Sequence, residues 1–149
     1  MDIQTERMVR KSVTVPLAAA DAFELFTTGI ATWWPVASHA IAEESEAVPF
    51  VEGGVGGTIG ERTAAGSQPW GTISEWDPPR AFATTWHPGY DADLATQLRV
   101  AFVEIGPRAT RVELDHRGWE IHGGAADERF AGYDTGWDTV LGRYVAQAG

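Results

Sequence analysis

Between Val48 and Arg117 the sequence breaks into six short segments, 48–52, 57–63, 70–77, 81–87, 97–105 and 109–117, divided by turn-forming clusters. That rhythm predicts an antiparallel meander, since strands of this length joined by short turns pair with their sequence neighbours. The separators GGVGG (53–57), AAGS (64–67), DPPR (77–80), HPGYDAD (87–93) and GPR (106–108) supply the Gly, Pro, Asp and Ser that bent backbone requires. In the last segment Arg111, Glu113 and Asp115 alternate with Val112, Leu114 and His116. One face is therefore wet and the other buried.

The flanks of this meander read differently. Residues 8–15 (MVRKSVTV) mix apolar, basic and β-branched residues and stop at Pro16, which suits a first strand. Residues 18–28 place Phe23, Phe26 and Ile30 at i, i+3 and i+7, the spacing of a short amphipathic helix that ends at Gly29. Residues 30–35 (IATWWP) read as an apolar bend closed by Pro35, and two short helices in all are expected after the first strand. The acidic stretch AEESEA (42–47) reads as a solvated loop or one exposed turn. From 127 to 148 helical spacing returns, with Phe130, Tyr133, Trp137, Val140, Leu141, Tyr144 and Val145 on one aromatic face. Gly132, Gly136 and Gly142 weaken that helix by roughly 1 kcal/mol each relative to alanine. Close approach of a strand or a ligand is the usual offset.

The order strand, short helices, six strands, long helix predicts an α+β fold: a curved antiparallel sheet of about seven strands wrapped around the C-terminal helix. A curved sheet and a straight helix do not match everywhere, so a gap lined by inward side chains is the natural ligand site. At 149 residues the chain fits one domain, 1–149, with no room for a second.

Charge and composition remove several classes. Eleven Lys and Arg against 21 Asp and Glu give a net charge of −10, which repels nucleic acid and anionic membrane surfaces. There is no cysteine, hence no disulfide framework, thiolate nucleophile or Cys-ligated zinc. The N-terminus lacks an apolar signal core and no long apolar run occurs, so the expected location is cytoplasmic. Seven tryptophans stand out, which fits either an aromatic cavity or an indole-heavy core.

Five segments carry a family resemblance: IATWWP (30–35), EGGVGGTIGER (52–62), WGTISEWDPPRAFATTWHPG (70–89), ATRVELDHRGWE (109–120) and YDTGWDTVLGRY (133–144). In this order, on these elements, the chain resembles the START-like, helix-grip (SRPBCC) superfamily from about Val9 to Val145. Within it, the chain is similar to the branch named for homology to the heat-shock chaperone ATPase activator, matching that activator's C-terminal domain. The resemblance implies a mostly apolar cavity between sheet and long helix. Superfamily members include lipid carriers, hormone receptors and aromatase/cyclase-type enzymes, and fold alone does not choose among them.

His116 is the most informative polar position, because alternation turns its imidazole inward. It reads either as an acid/base or ligand-binding group or as a core histidine satisfied by a carbonyl or hydroxyl. Trp119, Tyr133 and Trp137 would wall the gap beside it or lock helix to sheet. Trp86 ends a strand whose face it shares with Phe82 and Thr84, and Trp34 sits in the bend near the expected opening. Val100, Phe102 and Leu114 are the expected apolar floor. Glu104 shares their parity but lies near a strand end, where a solvated position is favoured.

Motif tests for other chemistries fail. His39, His87, His116 and His122 have no metal-ligand spacing, so no metal is expected. In GGVGGTIG, starting from Gly54 and Gly56, Ile59 occupies the third glycine position and the run leads into a strand, unlike a dinucleotide site. There is no G-x-S-x-G, and the acidic pairs fall in loops or at a helix start. The expectation is a cofactor-free binder of a small apolar or aromatic molecule, with a homodimer left open. The alternatives are a cyclase or hydrolase-lyase using His116, and a chaperone-activator interaction module.

Overall fold

The computed structural model describes residues 7–36, 38–39 and 47–149. The acidic stretch at 42–47, apart from Ala47, lies outside the described residues. The elements run β1 (Val9–Val15), α1 (Ala19–Phe26), a 3-10 turn (Ile30–Thr32), β2 (Val48–Val51), β3 (Thr58–Thr63), β4 (Gly66–Asp77) and β5 (Ala81–Trp86). A second 3-10 turn (Ala92–Leu94), β6 (Thr96–Gly106), β7 (Ala109–Arg117), a 3-10 stretch (Trp119–Ala125) and α2 (Ala126–Ala148) complete the chain. The seven strands form one antiparallel sheet in the order β1-β7-β6-β5-β4-β3-β2. This is the α+β helix-grip arrangement that the pattern of segments predicts.

Two local departures have physical reasons. β4 starts at Gly66 rather than Trp70, because Thr63 pairs with Gly66 across a two-residue turn. Gly66 takes a φ of +125°, open to glycine and strained for other residues, so half of AAGS belongs to the strand. The first helix stops at Phe26, where the Thr27 hydroxyl donates to the Phe23 carbonyl at 2.8 Å. Ile30 still reaches the core from the following turn.

Alternation does the rest. On the inner face Phe82, Val100 and Leu114 line up across β5, β6 and β7, with Thr84, Leu98 and His116 in the next row. All six are buried. Glu104 is exposed near the end of β6. The helix α2 crosses this face and is tied to the edge strand β1 by Lys11, whose ammonium reaches Asp134 at 3.2 Å and Asp138 at 3.1 Å. The two aspartates stand one turn apart, so a single cation spans them. At the opposite edge, β2 carries Pro49. Among the described residues no helix is long and apolar enough to cross a membrane.

Candidate functional site

A half-open cleft of about 660 Å³ lies between the first half of α2 and the β4–β5 side of the sheet. Four indoles form its walls: Trp34, Trp70, Trp86 and Trp137. Their ring centroids are 4.8 Å apart for Trp34 and Trp70, 5.6 Å for Trp70 and Trp86, and 5.5 Å for Trp86 and Trp137. The rings are tilted or edge-on to one another, so each leaves part of a face or edge available. The rim is polar, with His39, Tyr90, Glu128, Arg129 and Tyr133 around it.

Each indole is held by its own N–H or by its neighbours. Trp34 donates to the His39 carbonyl at 2.7 Å, closing the bend at Pro35. Trp70 donates to Glu61 at 2.8 Å, a fully buried carboxylate on the same face of β3 as Ile59. Trp137 donates to His116 Nδ1 at 2.9 Å. Trp86 differs: its Nε1–H is buried and, among the described residues, has no acceptor.

His116 lies behind the cleft wall and has no exposed surface. Because an indole can only donate, its Nδ1 must be the acceptor, which puts the proton on Nε2. Nε2–H then donates to the Thr96 hydroxyl at 2.6 Å, and that hydroxyl donates to the Trp86 carbonyl at 3.1 Å. The relay Trp137–His116–Thr96–Trp86 thus ties α2 to three strands. Burial, with a smaller contribution from His122, pushes the imidazole down to about 3, so it is neutral in ordinary conditions. The geometry gives His116 a positioning role: it sets the Trp137 ring and, through Thr96, the end of β5.

Of the nine residues picked out from sequence, Trp34, Trp86, Tyr133 and Trp137 line the cleft. The structure places Val100, Leu114, His116 and Trp119 in the packed layer behind it, all fully buried. Phe102 lies further away, with Phe23 at 5.2 Å and Phe26 at 5.9 Å between ring centroids. Trp119 lies tilted beside His116, at 4.3 Å between ring centroids, and its indole N–H donates to the His116 carbonyl at 3.0 Å.

Sequence reasoning missed Trp70, His39, Tyr90 and Arg129 as lining residues. Arg129 had a signal: Arg129, Gly132, Tyr133, Gly136 and Trp137 fall on three- and four-residue steps, one stripe of α2. Gly132 and Gly136 belong to that stripe and border the cleft, whereas Gly142 does not. A Cβ on Gly132 would meet nothing within 4 Å, and one on Gly136 would stand 3.5 Å from His39 Nε2. Tyr90 is joined to the helix by Arg129, whose guanidinium lies 4.4 Å over its ring, and Arg129 also donates to His122 Nδ1.

Comparison with known proteins decides the family. A family model described as Activator of Hsp90 ATPase homolog 1-like protein matches residues 16–147. The chain belongs to that family. Among solved structures, the anthrahydroquino-γ-pyrone synthase Txn09 is 38% identical over 86% of each chain, with a TM-score of 0.59. The self-sacrificing resistance protein CalC from Micromonospora echinospora is 26% identical, covering 95% of this chain and 93% of its own, with a TM-score of 0.68. The Aha1 dimer from Colwellia psychrerythraea is 16% identical over 95% of each chain, with a TM-score of 0.67, a likeness of fold alone. No curated protein sequence matches the chain.

Proposed function

We propose that this family member binds a planar, multi-ring aromatic small molecule in the indole-walled cleft. The observation that carries the reading is the set of four tryptophans around one 660 Å³ space with a polar rim. That volume falls in the range of small-molecule sites, and flat rigid walls favour flat rigid guests. The similarity to Txn09 supports it, since the name of that synthase denotes a fused polycyclic product. The test is a titration of intrinsic tryptophan fluorescence and melting temperature with soluble tri- and tetracyclic aromatics. Saturable quenching is expected, with a stabilisation of about 2.7 kcal/mol at a hundredfold excess over Kd. Unchanged emission and Tm across the panel would overturn the reading.

A second reading, ring-closing catalysis in the same cleft, is favoured by the 38% identity to a synthase. In that reading the proton-handling groups are those on the cleft, His39 and Tyr133, while His116 keeps the wall in place. Burial lowers the His39 imidazole below its ordinary range, which keeps it neutral and able to accept a proton. The structures named for Hsp90 activation match at 16–18% identity, which carries fold and not activity.

A further inference from the structure

The cleft wall holds one buried donor with no acceptor among the described residues. Trp86 is 3% exposed, and its buried N–H has no partner among the described residues. It lies near the Tyr133 hydroxyl without closing a hydrogen bond to it, and burial pushes that phenol up to about 12, so it stays protonated and is itself a donor. A buried donor left this way costs on the order of 1–3 kcal/mol unless something else accepts from it. The Arg129 charge is felt at the same phenol. Unlike Arg7, Arg80, Arg99 and Arg111, Arg129 forms no ion pair among the described residues. Its partners are the ring of Tyr90 and the His122 imidazole, which burial and the guanidinium itself hold below the ordinary range.

Arg62, Arg108, Arg117 and Arg143 likewise form no ion pair among the described residues, but of these arginines only Arg129 lines the cleft. Glu128, the one carboxylate among the described lining residues, is exposed at the rim. The half-buried Arg129 and the two neutral donors, Trp86 N–H and Tyr133 O–H, thus belong to residues that line one indole-walled cleft.

From this set of donors we infer that the cleft selects aromatic guests bearing an anionic oxygen, a carboxylate, phenolate or enolate, on one edge. The ring system lies among the indoles. Its charged oxygen meets Arg129, and a neighbouring oxygen accepts from Trp86 and Tyr133. This rests on the cleft-binding reading above and adds the polarity of the guest to it.

The experiment compares two probes of nearly equal shape, anthraquinone-2-carboxylate and 2-(hydroxymethyl)anthraquinone, by fluorescence titration of the full chain. The carboxylate should bind roughly tenfold or more tighter, the scale of a charge-assisted hydrogen bond. Arg129→Gln should collapse that ratio towards one by weakening the carboxylate probe far more than the neutral one, and Arg129→Lys should restore part of it. Tyr133→Phe should weaken both probes, because it removes a donor to oxygen and not the charge. Equal binding of the two probes by the wild type overturns the inference and leaves the aromatic cleft standing. So does an Arg129→Gln variant that loses both probes equally, which would mean that Arg129 only props up Tyr90. If neither probe binds, the cleft-binding reading fails, and this inference with it.

Discussion

The two halves of α2 face the same sheet and end in opposite states. Around Leu141 and Tyr144 the space beneath the helix is filled by α1: Phe26 stands 4.9 Å from Tyr144 and 5.1 Å from Trp33 between ring centroids, and Phe23 packs against Phe82 and Phe102. The Tyr144 hydroxyl donates to the Ala22 carbonyl at 2.8 Å, pinning α1 beneath the helix. Around Gly132 and Gly136 no helix among the described residues fills the space, and the result is the cleft. The adjacent tryptophans divide the work, Trp33 touching Tyr144 and Trp34 touching Trp70. The difference teaches that the long helix does not by itself close the sheet. Closure at one end is the job of an eight-residue helix.

The comparison breaks most readily at the filled end. Phe26→Ala should cost about 3–5 kcal/mol in urea unfolding, since the ring is 2% exposed and its neighbours cannot all collapse into the hole. Affinity for an aromatic probe, measured where the variant is still folded, should stay within a few-fold of wild type. A large, selective loss of probe affinity would show that the two ends are not independent.

The boundary between the ends is sharpened by pH. His116 in the folded chain sits at about 3, below the ordinary 6.5, so the unfolded chain binds the proton first. Stability from this group is complete above about pH 6.5 and drains as pH falls towards 3, at up to about 1.4 kcal/mol per pH unit. A His116→Gln variant, able to accept from Trp137 and donate to Thr96 but unable to titrate, should lose less stability than wild type between pH 6.5 and 4. The gap between the two acid-unfolding curves should narrow by on the order of 2–3 kcal/mol. Parallel curves would remove the buried neutral imidazole from the account.

The smallest effect separates two helix glycines. Gly132→Ala and Gly142→Ala should each raise stability by up to about 1 kcal/mol, because neither added methyl meets another atom within 4 Å. Only Gly132 borders the cleft, so only its substitution should weaken a planar guest. Equal binding by both variants would place the guest elsewhere.

These contrasts also mark how far the sequence could be read. Alternation in 109–117 shows that Leu114 and His116 point inward, and the three- and four-residue steps after 127 reveal the face of α2. Period alone does not say where along the strands the filling helix will sit. Phe102 and Trp86 both point inward, yet one meets α1 and the other the cleft. The partners of His116 come from Thr96 and Trp137, 20 and 21 residues away, beyond any local pattern. Arg129 resembles a solvated cation until the Tyr90 loop is folded against it.

The sheet's margins have a consequence for a molecule that keeps one side open. β1 is strapped to α2 through Lys11, and β2 carries Pro49, whose ring leaves no amide hydrogen to offer an incoming strand. The proline removes one donor from its border of the sheet. The open cleft thus stands in a sheet whose two borders are both modified, one strapped to the long helix and the other short of an amide donor.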